Sequence, residues 1–143
     1  MPVPKIVIDT NVFVSALRSQ HGASYKLVLL VGSGKFEVSL SAPLVFEYED
    51  AGKRLVGRKS GLKPSDIDDI LDYVCSVAHR KTVYYLWRPF LQDPKDDMVL
   101  ELAVAAGSDI IVTYNKNDFC GVEQFGVRVM TAQEFLLEIG ELP

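Results

Sequence analysis

One stretch near the start of the chain limits what the rest can become: Lys5-Ile6-Val7-Ile8-Asp9-Thr10-Asn11. Ile6, Val7 and Ile8 are consecutive β-branched apolar residues that stop at an acid and two small polar residues. A short continuous apolar run with no helical period predicts a strand buried on both faces. Val12, Phe13, Ala16 and Leu17 then recur at helical spacing, so Thr10 or Asn11 is placed to cap a first helix. Asp9 falls at the carboxyl end of the strand, where open α/β sheets hold their ligands. Two readings stay open for it, a helix cap or a carboxylate held ready for a metal or phosphate.

Beyond this unit, strands and helices alternate. Helices are expected over Tyr25 to Val31, from Ser41-Ala42-Pro43 onward, from Ser65 through Val77, over Met98 to Ala106, and from Thr131 to Leu137. Strands are expected at Phe36 to Leu40, Thr82 to Leu86, Asp109 to Thr113 and Val127 to Met130. Ser65-Asp66-Ile67-Asp68 resembles a capping box, and Thr131 with Glu134 forms another. Gly57 to Gly61 reads as a loop. Strands separated by helices imply crossover connections and a mostly parallel sheet of roughly five strands, covered on both sides. The fold class is therefore α/β, a three-layer α/β/α sandwich, in one domain spanning 1–143.

Composition narrows the function classes. No apolar run approaches the roughly 18 residues of a membrane span, and a strand this early leaves no room for a signal peptide. Cys75 and Cys120 lack the paired spacing of a zinc site and fit reduced thiols in a cytoplasmic protein. A net charge of −4 argues against a globally basic nucleic-acid binder. Basic residues nevertheless cluster at Lys53, Arg54, Arg58, Lys59 and Lys63, either as a patch for phosphates or as a solvated loop.

Three further acids can reach the edge that carries Asp9. The apolar stripe Leu44, Tyr48, Ala51 and Leu55 places Glu47 on its buried flank and turns Glu49 and Asp50 away. Such a carboxylate must snorkel, pair with a cation or bind a metal. Asp96 heads the stripe Val99, Leu100 and Ala103, whereas Asp97 shares a wetter face with Glu101. Helix capping accounts for one of these two acids. Asn115 and Asp118 sit in the polar turn after the strand that ends at Thr113, on the same sheet edge. Hard oxygen donors without a His pair or Cys cluster suit Mg²⁺ or Mn²⁺ rather than Zn²⁺. Clusters of this kind activate water and stabilise the leaving oxygen of a phosphodiester.

Taken in order, Val-Ile-Asp9-Thr10-Asn11-Val12, Leu44-Val45-Phe46-Glu47-Tyr48-Glu49, Asp93-Pro94-Lys95-Asp96-Asp97 and Thr113-Tyr114-Asn115-Lys116-Asn117-Asp118-Phe119 resemble the PIN-domain ribonucleases. The branch most similar comprises the prokaryotic VapC-type toxin components of toxin–antitoxin systems. The resemblance runs from about Lys5 to Leu137, and its specificity lies in the order and spacing of the motifs. It implies an acidic divalent-metal site and endonucleolytic cleavage of RNA. Asp9, Glu47 and Asp96 match the family's three principal acids. Asp96 lies seven residues before Ala103 and eleven before Gly107, as in the family pattern. Thr10 and Asn11 match the polar pair beside the first acid. Asn115 departs from the Asp found in many members, which removes one negative charge; Asp118 can compensate.

The expected protein is thus a Mg²⁺- or Mn²⁺-dependent endoribonuclease, with Asp9, Glu47, Asp96 and Asp118 as metal ligands and Asn115 completing the shell. Thr10, Asn11, Arg54, Arg58 and Lys59 are the expected RNA contacts. The resemblance also implies a homodimer and a small antitoxin protein as partner. The alternative is a non-catalytic PIN-fold module for RNA binding or assembly. A phosphoacceptor receiver domain would want an acid pair after the first strand, and a haloacid-dehalogenase-like phosphatase would want Asp where Asn11 stands.

Overall fold

The computed structural model describes residues 3–55, 61–83 and 90–142. Its sheet has five strands, all parallel: β1 (Lys5–Ile8), β2 (Glu37–Leu40), β3 (His79–Arg80), β4 (Ile110–Val112) and β5 (Arg128–Met130), in the order β3-β2-β1-β4-β5. Six helices join them: α1 (Thr10–Arg18), α2 (Ala23–Leu29), α3 (Ala42–Leu55), α4 (Pro64–Val77), α5 (Pro94–Ala105) and α6 (Ala132–Glu138). This is the expected α/β/α sandwich.

β1 is the central strand, with an apolar strand paired beside it. Ile6, Val7 and Ile8 are buried and pair in register with Ile110, Ile111 and Val112 of β4. On β1's other side, Lys5 pairs with Glu37 and Ile6 with Val38 of β2. α1 packs on α2 and α3, α3 on α4, and α2 on α6, while α5 contacts β1, β2 and β4. The chain order places β2 on one side of β1 and β4 on the other, so the direction of winding reverses between β1 and β4. The carboxyl ends of these two strands form a topological switch point, the place where such sheets open a crevice.

Two local expectations change. The edge strand after α4 is the two-residue β3, which pairs with Ser39 and Leu40 and lies before Thr82. Thr82 and Val83 are not strand, and positions 84–86 of the expected strand lie outside the described residues. The α4 cap also differs. Pro64 opens the helix, and the Asp66 carboxylate accepts from the Lys63 backbone N–H at 2.8 Å, so Ser65 is already inside the first turn. The Thr131–Glu134 capping box forms in both directions, at 3.1 Å and 2.8 Å.

Candidate active site

An open cleft of about 470 Å³ lies at the switch point. Asp9, Thr10, Asn11, Glu47, Arg54, Asp96, Asn115 and Asp118 all line it, although they come from four separate parts of the chain. Arg58 and Lys59 lie outside the described residues. Lys53, from the same basic stretch, is tied to Asp68 at 2.8 Å and Glu49 at 3.5 Å. Among the described residues Arg54 makes only an exposed contact with Asp50 at 3.4 Å, which leaves its guanidinium close to free in energetic terms.

Asp9 itself is the N-cap of α1, the role left open among Asp9, Thr10 and Asn11. Its Oδ1 accepts from the Thr10 backbone N–H at 2.8 Å, and its Oδ2 accepts from the Thr113 hydroxyl at 2.7 Å. The cap and site readings therefore hold together, since each carboxylate oxygen keeps a second lone pair. Asp9 is 8% exposed. Burial raises its pKa, the Thr113 and Thr10 hydrogen bonds oppose that rise, and the Asp118 and Asp93 charges add to it.

Thr113 is the hub of the polar network. Fully buried after β4, its Oγ1 also receives the Asn115 backbone N–H at 3.1 Å and the Asn11 side-chain amide at 3.4 Å. Asn11 in turn accepts from the Tyr114 backbone N–H at 3.3 Å. The loops after β1 and β4 are thereby stitched together by side chains. Sequence inspection places Thr113 inside a motif but assigns it no task; a hydroxyl ending an apolar strand is the only signal it leaves.

Glu47 reaches the cleft from α3. Its neighbour Tyr48 is buried, stacks on Phe13 with ring centroids 4.6 Å apart, and donates its hydroxyl to the Ile8 carbonyl. That bond joins the residue after Glu47 to the residue before Asp9, and so fixes α3 against β1. The Glu47 carboxylate makes an ion pair with Lys95 at 3.2 Å. The cation expected from burial alone is present, and it lies in the cleft wall.

At the start of α5 the acids divide their duties. Asp93 caps the helix by accepting from the Lys95 N–H at 2.9 Å. Asp97, expected to be the wetter acid, is half-buried as Asp96 is, and its Oδ1 accepts from the Phe90 and Leu91 backbone N–H groups at 3.2 Å and 2.9 Å. The Asp96 carboxylate has no hydrogen-bond or ion-pair partner among the described residues. Its pKa is pushed up to about 6 by burial first, then by the charges of Asp9, Asp93, Asp118 and Asp97. A carboxylate left unpaired amid like charges is the arrangement a bound cation relieves.

Asn115 and Asp118 occupy the loop and the 3-10 turn Lys116–Phe119 after β4, both exposed to the cleft. Phe119 is buried and anchors the turn, and Lys116 is drawn aside to Glu134 at 2.9 Å. The acids share a cleft without being drawn tight: among the described residues no three His, Cys, Asp or Glu side chains stand close enough to hold an ion. The donor set nonetheless fits a hard divalent cation, because every acid is an oxygen donor and Asp96 is unpaired.

Residues 5–117 match the family model of the PIN domain, and the chain belongs to that family. No curated protein matches it. Among solved structures, it is similar to a chain of VapBC2 from Rickettsia felis bound to a DNA fragment from their promoter, at 14% identity and a TM-score of 0.58. The match covers 89% of this chain and 98% of that one, and at this identity it establishes a shared fold.

Proposed function

We propose that this protein is a divalent-metal-dependent endoribonuclease. The observation that carries the reading is Asp96, unpaired among the described residues and surrounded by the other acids of one open cleft. Asp9, Glu47, Asp96 and Asp118 would hold Mg²⁺ or Mn²⁺, and Asn115 would add its amide oxygen. Such an ion supplies Lewis-acid polarisation of the phosphate and a water of lowered pKa.

The chain's own residues prepare the rest. Thr113 and the Thr10 amide lock the Asp9 carboxylate in one orientation. Asn11 joins the loops that carry Asp9 and Asn115. Arg54 stands in the cleft wall with a guanidinium suited to a backbone phosphate. Water adding in line at phosphorus, with departure of the protonated 3′ oxygen, leaves a 3′-hydroxyl and a 5′-phosphate.

A small antitoxin partner, a homodimer and a cytoplasmic location belong to the same proposal. The structural likeness to VapBC2 supports the first of these. Among the described residues no helix is long and apolar enough to cross a membrane.

The Glu47–Lys95 pair favours one competing reading, a non-catalytic RNA-binding or assembly module in which Lys95 stands in for the cation. Cleavage of mixed structured and single-stranded RNAs in Mn²⁺, Mg²⁺ or EDTA separates the two, with Asp9→Asn purified alongside. Metal-dependent cutting that the variant lacks is expected. Absence of both cutting and calorimetric metal binding selects the module.

A further inference from the structure

Two anchored aromatic rings flank the acidic residues, and neither is spent on the core. Tyr114 follows β4, lines the main cleft and is 47% exposed. Its backbone N–H is held by Asn11, and its hydroxyl bonds to Ser24 and lies 3.2 Å from the Ser15 hydroxyl. With both polar ends engaged by the fold, the ring is what this residue offers the cleft.

Phe90 stands on the other side. A second cleft of about 510 Å³ runs along Phe90 and shares Asp93, Asp96 and Asp118 with the first, so the two clefts meet at the acids. Phe90 is 40% exposed. Its ring packs edge-on against Phe125, with centroids 5.1 Å apart and planes at 84°, and its backbone N–H is held by Asp97. Gly121, at φ +88°, makes room beneath it: a Cβ there would lie 3.1 Å from Phe90 Cζ.

Fixed, half-exposed rings in two clefts that meet at the acids suit a nucleic-acid strand, in which bases alternate with phosphates along the backbone. Stacking on such rings is open to an unpaired base, whose π faces are free, and closed to a duplex, whose faces are already stacked. We infer that the two clefts together take single-stranded RNA, with the bases on either side of the scissile phosphate stacked on Tyr114 and Phe90. The word scissile rests on the nuclease reading; the stacking does not.

Binding and cutting are therefore measured separately. The binding probe is a short fluorescein-labelled single-stranded RNA, read by anisotropy in Ca²⁺, beside the same RNA made abasic at successive positions and its duplex. Tyr114→Leu and Phe90→Leu should each weaken binding roughly tenfold. Each loss should vanish on RNA abasic at one particular position, the positions for the two variants should be neighbours, and Tyr114→Phe should recover most of the affinity. In Mn²⁺, KM should rise while kcat changes little. Leucine variants that bind as wild type, losses that persist on every abasic RNA, or a duplex bound as tightly as the single strand would each overturn the inference. Wild-type binding without cutting, weakened by the leucine variants, retires the nuclease reading and leaves the stacking in place.

Discussion

The Thr113 hydroxyl donates to Oδ2 of Asp9 at 2.7 Å, across 104 residues of sequence. The bond joins the ends of β1 and β4, the strands between which the winding reverses, and it orients the most deeply buried acid of the site. It also opposes the rise in Asp9 pKa that burial causes.

Thr113→Val keeps the shape of this side chain and removes the hydroxyl. The Asp9 carboxylate then loses its anchor, and the Asn115 N–H and the Asn11 amide lose an acceptor. Metal affinity and activity should fall about 10- to 100-fold, and stability by about 1–3 kcal/mol. Thr113→Ser should restore most of both. Titration calorimetry with Mn²⁺ and urea unfolding are the measurements, and unchanged metal binding in the valine variant would remove Thr113 from the site.

Tyr48→Phe tests the tie between α3 and β1. The ring stays stacked on Phe13, but the Ile8 carbonyl loses its side-chain donor. A loss of about 1–2 kcal/mol is expected, together with weaker metal binding because Glu47 is then less firmly placed. A variant equal to wild type on both counts would show that packing alone holds the helix.

Asp96 makes the metal-free protein pH-sensitive. Its folded-state pKa is about 6 against the ordinary 3.8, so through that interval the folded chain keeps a proton that the unfolded chain has released. Stability therefore falls as pH rises from about 4 to about 6, and the loss is complete above that window. Solvent screening of this part-exposed carboxyl limits the effect to about 1 kcal/mol or less. In EDTA, Asp96→Asn should be more stable than wild type at neutral pH, with the advantage gone near pH 4. Metal affinity of the wild type should decline below about pH 6, as protons compete for the ligand. Parallel stability–pH curves for the two proteins would refute this account.

On the metal-site reading, Lys95 would compete with a bound ion for Glu47. The Lys95 side chain is 61% exposed, so the ion pair contributes well under about 1 kcal/mol to folding. Lys95→Gln should leave the unfolding midpoint nearly unchanged and tighten Mn²⁺ binding a few-fold. Weaker binding in this variant would mean that the ammonium orients Glu47 rather than competing for it.

The fold and the set of cleft acids were legible because they rest on local patterns. Ile6 to Ile8 could only be a buried strand, and the helical stripes through Leu44–Tyr48 and Val99–Ala103 turned Glu47 and Asp96 toward the sheet edge. β3 was not read because a two-residue edge strand leaves almost no periodic signal. The task of Asp97 was not legible because the N–H groups it accepts from, at Phe90 and Leu91, lie outside its own helix.

By itself, then, the sequence determined the alternation of elements, the buried first strand and the common edge of Asp9, Glu47, Asp96 and Asp118, since periodicity and chain direction depend on near neighbours alone. Only the tertiary structure decided how those acids are employed. Asp9 became the α1 cap while still lining the cleft, Asp93 took the α5 cap, Asp97 went to the loop, Glu47 met Lys95, and the Asp96 carboxylate was left without a partner among the described residues. Each of those outcomes turns on which hydrogen-bond donor arrives from a distant segment, and a carboxylate's role is set by the donors that reach it.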